Sequence, residues 1–184
     1  EDSVAMIAIY TMHHRKNSKT PDIEEQAISI SKDYRNFHFW EGNPVIESER
    51  EHFRDPYVFW DEIYQRWAMV ITAPIEKQIE IYTSNDLKNW EYKSSFGPLG
   101  AVKEMWEVPE LFQIPLNDDS NNKKWVMICG MGPNKAQFWV GDFDGERFTP
   151  DSITVNYLTK GDGLNGTLIE DFESGFSFWN ESES

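Results

Sequence analysis

The sequence repeats one short pattern at a fixed distance, and this repeat limits the folds that the chain can adopt. Segment 31–37 reads Ser-x-Asp-x-x-Asn-Phe, and segment 84–90 reads Ser-x-Asp-x-x-Asn-Trp, an offset of 53 residues. Each copy follows a run typical of a β-strand, at 27–30 in the first and 79–82 in the second. A repeat of about fifty to sixty residues is close to the length of a propeller blade.

Each complete repeat divides into four short strands separated by turn residues. The alternating isoleucines of segment 24–32 favour a strand, and the sequence lacks a capped stretch with the 3.6-residue apolar period of a helix. Asp144-Gly145 predicts a tight hairpin turn. We therefore expect an all-β chain, a β-propeller with a β-sandwich as the alternative. The strands are predicted near 57–60, 67–72, 78–83, 90–94, 110–114, 125–129, 137–141 and 147–149.

The repeat boundaries predict an incomplete ring of blades. We expect residues 1–50 to form the end of one blade, 51–99 a second blade, 100–155 a third, and 156–184 the start of the next. Two complete units and two partial ones cannot close a ring, so the chain is predicted to form an arc of a larger propeller.

Charge and composition exclude several classes of function. The 32 Asp and Glu residues outnumber the 17 Lys and Arg residues, for a net charge of −15, which argues against nucleic-acid and membrane partners. Aromatic residues make up 15% of the chain, which argues against disorder. The His13-His14 pair lacks a recognisable metal-ligand spacing, and the glycine-rich segment 161–166 precedes a strand-like run rather than a helix. The sequence therefore predicts neither a cofactor nor a metal.

Acidic residues occur at one repeated place, immediately before the first strand of each unit. Segment 54–56 reads Arg-Asp-Pro and segment 106–109 reads Trp-Glu-Val-Pro, which places Asp55 and Glu107 at nearly the repeat distance. Asp171 has the comparable position in the last unit. First strands line the central channel of a propeller, so these carboxylates should converge there, as glycoside hydrolysis requires. The alternative is that they cap turns before strands that proline makes rigid.

In these segments the chain resembles glycoside hydrolase family 32, the β-fructofuranosidases, which include invertases, inulinases and levanases. The resemblance covers most of the chain up to about Pro150, in the family's order. It implies a five-bladed catalytic propeller, of which this chain covers roughly blades 2 to 4. The matching segments are 53–60, 81–90, 106–109, 124–127 and 138–145.

The resemblance also implies roles for individual residues. Glu107 is similar to the family's general acid/base, and Asp55 to its transition-state stabiliser. Arg54, Gln26 and Asp171 are similar to residues that contact substrate. The implied activity is hydrolysis of β-fructofuranosyl bonds in sucrose or fructans by a retaining mechanism, without a cofactor.

Three departures from the family pattern limit this interpretation. The family's nucleophile lies in a Trp-Met-Asn-Asp-Pro-Asn-Gly element, which these 184 residues do not contain. We expect that element to precede residue 1 and the isolated chain to be inactive; the alternative is a non-catalytic carbohydrate-binding or degenerate propeller. Val108 stands where the family usually has cysteine, and Glu173 stands where it has tyrosine.

Two N-glycosylation sequons begin at Asn165 and Asn180. Together with the resemblance they predict a secreted glycoprotein, extracellular or vacuolar, whose partner is a neutral sugar substrate. The sequence leaves open the choice among sucrose, inulin and levan, the choice between hydrolysis and fructosyl transfer, and the oligomeric state.

Overall fold

A computed structural model describes residues 5–15, 22–117, 119–131, 135–151 and 168–171. Every regular element within those ranges is a β-strand, which confirms the predicted all-β class. The strands are β1 (Met6–His14), β2 (Ile23–Ser31), β3 (His38–Phe39), β4 (Arg54–Asp61), β5 (Arg66–Ala73), β6 (Gln78–Ser84), β7 (Glu91–Phe96), β8 (Trp106–Leu116), β9 (Asp119–Met131), β10 (Lys135–Phe143), β11 (Phe148–Pro150) and β12 (Leu168–Asp171).

The strands form three antiparallel sheets that follow one another along the chain. The first sheet has the order β1-β2-β3, the second β4-β5-β6-β7, and the third β8-β9-β10-β11 with β12 beside β10. Each of the eight strands predicted for the two complete units overlaps one of β4 to β11. β4 lies beside β1 of the first sheet and β8 of the third. This succession is an arc of a β-propeller rather than a two-sheet sandwich.

The repeated Ser-x-Asp-x-x-Asn pattern forms the turn after β6 in the second sheet and the turn after β2 in the first. Oδ1 of Asp86 accepts hydrogen bonds from the backbone N–H groups of Lys88 and Asn89 at 2.9 and 2.8 Å, and Oδ2 accepts one from Nδ2 of Asn89 at 2.7 Å. The backbone hydrogen bond from Asn89 is the main cause that lowers the pKa of Asp86 below its usual range. Asp33 makes the corresponding bonds after β2. The repeat seen in the sequence is thus a repeated turn.

Residues on opposite faces of β5 join the second sheet to its two neighbours. Val70 packs in a cluster with side chains of the third sheet, and Met69 packs in a cluster with side chains of the first. Both are fully buried. This alternation is the period-two pattern of a strand that is covered on both faces. The fully buried side chains of the cluster between the second and third sheets are Ala68, Val70, Ile79, Ile81, Trp106, Leu111, Met127, Cys129 and Trp139.

The hairpin between β10 and β11 closes on the predicted Asp144-Gly145 turn. Oδ1 of Asp144 accepts hydrogen bonds from the backbone N–H groups of Glu146 and Arg147 at 3.0 and 2.7 Å. Gly145 has φ of +89°, and a Cβ there would lie 2.4 Å from the ring of Tyr64 in the turn between β4 and β5 of the second sheet. Glycine is therefore required both by the turn and by the close approach of the two sheets.

The last part of the chain is described only at β12. The backbone of Asp171 pairs with Lys135 of β10, so it belongs to the third sheet and does not begin a new one at that point. Most of the predicted fourth unit, including Asn165, Glu173 and Asn180, lies outside the described residues. Within the described part of the chain, no helix is long and apolar enough to cross a membrane.

Replacing Ile81 by Ala should destabilise the fold strongly, because the fully buried side chain fills space between the second and third sheets. We expect the free energy of unfolding to fall by about 2–5 kcal/mol, measured by urea denaturation. The matched control is Ile75→Ala, whose side chain is 61% exposed and whose loss should cost less than about 0.5 kcal/mol. Equal losses for the two variants would contradict the proposed packing between sheets.

Cys129 should be inert in the folded protein. Burial raises the pKa of its thiol to about 12, despite an opposing hydrogen bond from Gln137. We expect iodoacetamide at pH 8 to leave the Cys129 peptide unmodified in the native protein and to label it fully in urea, as read by mass spectrometry. Rapid labelling under native conditions would show that this face of β9 is open to solvent.

Candidate active site

The predicted catalytic residues lie at matching bulges in the first strands of two adjacent sheets. The pairing of β4 with β5 shifts between Arg54 and Tyr57, and the pairing of β8 with β9 shifts between Glu107 and Glu110. Glu107 therefore occupies the same blade position as Arg54, and Val108 occupies that of Asp55. The expectation that Asp55 and Glu107 share one position is wrong by one residue, because the bulges align on the prolines that follow.

Asp55 and Val108 both have left-handed backbone conformations at these bulges, with φ of 62° and 47°. Such conformations are uncommon for residues other than glycine. They are rarest for β-branched residues such as valine. The backbone N–H of Val108 donates a hydrogen bond to Oδ2 of Asp55 at 2.9 Å. The backbone N–H of Asp55 donates to Oγ1 of Thr11 at 3.1 Å. The bulges thus connect Asp55 to both the first and the third sheet.

Arg54 brings the two predicted catalytic carboxylates together. Its Nη2 donates a hydrogen bond to Oε1 of Glu107 at 2.6 Å, and its Nε lies 3.9 Å from Oδ2 of Asp55. Partial burial lowers the pKa of Arg54, but its hydrogen bonds and attraction to Glu107 and Glu24 outweigh that effect and raise the pKa above the usual value. The guanidinium is therefore a permanent cation between acidic side chains.

Two further residues bind the other side of this guanidinium, and neither was predicted from the sequence. Nη1 of Arg54 donates to Nδ1 of His52 at 2.6 Å and to Oε2 of Glu24 at 3.3 Å. Glu24 lies on the buried face of β2, together with Gln26 and Ile28. An acidic residue at a buried strand position requires a charged or hydrogen-bonding partner. A glutamate that alternates with Gln26 and Ile28 along a predicted strand was therefore the signal available in the sequence.

Gln26 lies behind the site, with its side chain fully buried. Its Nε2 donates to the backbone carbonyl of Phe53 at 2.7 Å, and its Oε1 accepts a hydrogen bond from Thr11 at 3.1 Å. Thr11 is also the acceptor for the backbone N–H of Asp55. Gln26 therefore holds the backbone on either side of Arg54 in place.

The side chains of His13 and His14 contact neighbouring acidic residues. Nε2 of His13 contacts Oδ1 of Asp22, and Nε2 of His14 lies 2.9 Å from Oε2 of Glu25. Across the residues that the structure describes, no group of three or more His, Cys, Asp or Glu side chains is arranged to hold a metal ion.

The two carboxylates of the site are exposed to solvent to a similar degree, and the arginine between them is less exposed. The side chain of Asp55 is 31% exposed and that of Glu107 is 37% exposed, whereas Arg54 between them is 18% exposed. When two accessible carboxylates share a half-buried cation, one of them can transfer a proton while the other stabilises developing charge.

The sequence and fold of the chain are similar to those of known glycoside hydrolases. The family model described as glycosyl hydrolases family 32 N-terminal domain matches residues 1–178. The extracellular exo-inulinase of Aspergillus awamori is 35% identical over 82% of this chain and 32% of its own length. The levanase of Bacillus subtilis strain 168 is 40% identical over 78% of this chain and 21% of its own. The crystal structure of the Aspergillus awamori exo-inulinase matches with a TM-score of 0.77 and 32% identity, over 91% of this chain and 36% of that one.

The chain thus spans about a third or less of the length of these relatives. The family model nevertheless covers nearly all of it, and the matched region includes the residues around Arg54 and Glu107. By its fold, its site and these similarities, the chain belongs to glycosyl hydrolase family 32.

Proposed function

We propose that the whole protein containing this chain hydrolyses β-fructofuranosyl bonds of sucrose or fructans with retention of configuration. The observation that carries this proposal is the Arg54 guanidinium, which joins Glu107 to Asp55 across two adjacent sheets. The exo-inulinase and levanase relatives support fructans as the substrate class.

In this mechanism Glu107 serves first as acid and then as base. A nucleophilic carboxylate of the whole protein attacks the anomeric carbon of the fructosyl unit, while the glycosidic C–O bond breaks and the leaving oxygen takes the proton of Glu107. Water then attacks the fructosyl-enzyme ester and gives its proton to Glu107. The ester C–O bond breaks, and the nucleophilic carboxylate is restored.

Asp55 and Arg54 position the substrate and the acid in this proposal. With Oδ2 of Asp55 held by the N–H of Val108, the carboxylate keeps a fixed orientation toward the hydroxyls of the sugar. Arg54 holds Oε1 of Glu107 in the same way. Gln26 acts through the backbone before Arg54, whereas Asp171 is proposed as a substrate contact on the grounds of its family resemblance alone.

A second candidate function is a carbohydrate-binding propeller without catalysis. It is favoured by one feature of the sequence, the glutamate at position 173, where the resemblance leads one to expect a tyrosine. The two candidates differ in one measurement, because only the enzyme releases free fructose from sucrose or inulin.

We propose that the protein is secreted, with an extracellular site favoured over a vacuole. The exo-inulinase relative is named as extracellular, and two N-glycosylation sequons occur in the chain. The strong net negative charge is compatible with a neutral sugar substrate, which needs no electrostatic steering.

Replacing Glu107 by Gln in the whole protein should remove the proton donor and keep the size of the side chain. We expect kcat for fructose release from sucrose and inulin to fall by about 100-fold or more. The matched control is Glu110→Gln, the same substitution at an exposed position of the same strand, which should keep kcat within about twofold. Near-normal turnover by the Glu107 variant would disprove its role as the acid/base.

A further inference from the structure

We propose that Glu24 and His52 are positioning residues, which hold Nη1 of Arg54 so that Nη2 stays on Glu107. This inference rests on the proposed function, since it assigns them an effect on the acid/base of that reaction. Glu24 and His52 both hydrogen-bond to the guanidinium, and the guanidinium in turn hydrogen-bonds to Glu107.

The geometry of the guanidinium makes such positioning effective. Its nitrogens lie in one rigid plane, so two fixed contacts at Nη1 determine where Nη2 points. Those contacts come from Glu24 at 3.3 Å and His52 at 2.6 Å. The side chain of Glu24 is 11% exposed, which limits exchange of this contact for water. The network runs from β2 of the first sheet through β4 of the second to β8 of the third.

The contact with His52 also defines the protonation of that ring. Arginine has only donors, so Nδ1 of His52 must carry a lone pair, and the neutral ring must bear its proton on Nε2. The backbone of His52 is left-handed, with φ of 57°, two residues before Arg54. A residue at this position therefore needs both an acceptor atom and tolerance of that conformation.

The contact with Glu24 affects charge as well as position. Arg54 carries one positive charge, and Glu24, Asp55 and Glu107 all lie within 4 Å of it. The negative charge of Glu24 offsets part of the cation's attraction for Glu107. A general acid must keep its proton until the leaving oxygen takes it, so a second carboxylate on the same cation favours the acid form.

The first test is Glu24→Gln in the whole protein, with the pH profile of kcat/KM for inulin as the readout. Removing the negative charge should shift the alkaline limb of the profile to lower pH by about one unit. The matched control is Glu25→Gln, the adjacent glutamate, which is similarly buried at 12% exposure and bonds to His14 and Ser48 instead. Its profile should match that of the wild type.

An unmoved alkaline limb in the Glu24 variant, or the same shift in both variants, would overturn the role of Glu24. These outcomes differ from failure of the proposed function. If the wild-type protein releases no fructose, the proposed function is wrong. If the wild type is active and Glu107→Gln is not, an unshifted Glu24 variant rejects only the role proposed for Glu24.

The second test uses His52 and does not depend on the Glu24 variant folding. Both glycine and asparagine adopt the left-handed backbone at this position, but only asparagine offers an acceptor near the place of Nδ1. We expect His52→Gly to lower kcat/KM by about tenfold and His52→Asn to retain most of it. Equal losses in the two variants, or no loss in the glycine variant, would overturn the role of His52.

Discussion

The site depends on one arginine side chain that is shared among acidic residues of three sheets. Arg54 belongs to the second sheet, Glu24 to the first and Glu107 to the third. Without the cation, the free energy of placing these carboxylates close together would be unfavourable, because like charges at short range repel strongly where solvent is partly excluded. The guanidinium therefore determines how adjacent blades can place their acidic side chains, and the chemistry proposed for Glu107 follows from that arrangement.

Apolar packing between blades provides the rigidity that this arrangement needs. The second sheet is covered on both faces, through Val70 toward the third sheet and Met69 toward the first. Close-packed interiors do not deform continuously, so the first strands of adjacent blades remain at a fixed separation. Against this rigid background, a hydrogen bond of 2.6 Å from Arg54 to Glu107 has a defined direction.

The fold was largely predictable from local patterns, whereas the site was predictable only in part. Period-two alternation and the Ser-x-Asp-x-x-Asn turns act within a few residues, so the strands of the two complete units could be located in the sequence. The alignment of Glu107 with Arg54 was present in the repeat, because Arg54 and Glu107 are 53 positions apart and so are the prolines that follow them. Matching the two acidic residues by type instead placed Asp55 one residue out of register, and the bulges show the true alignment. The contact of Glu24 with Arg54 joins residues 30 positions apart on different sheets, which a pattern along one strand does not indicate.

The left-handed bulge at Val108 means that this position is constrained through its main chain. Asp55 is bound by the N–H of residue 108 rather than by its side chain, which is 62% exposed. Valine can therefore stand where the family usually has cysteine without loss of the bond to Asp55. Proline could not, since it would remove the donor and cannot adopt a positive φ. A substitution at position 108 is thus compatible with an unchanged bond to Asp55, provided that the new residue keeps its amide hydrogen.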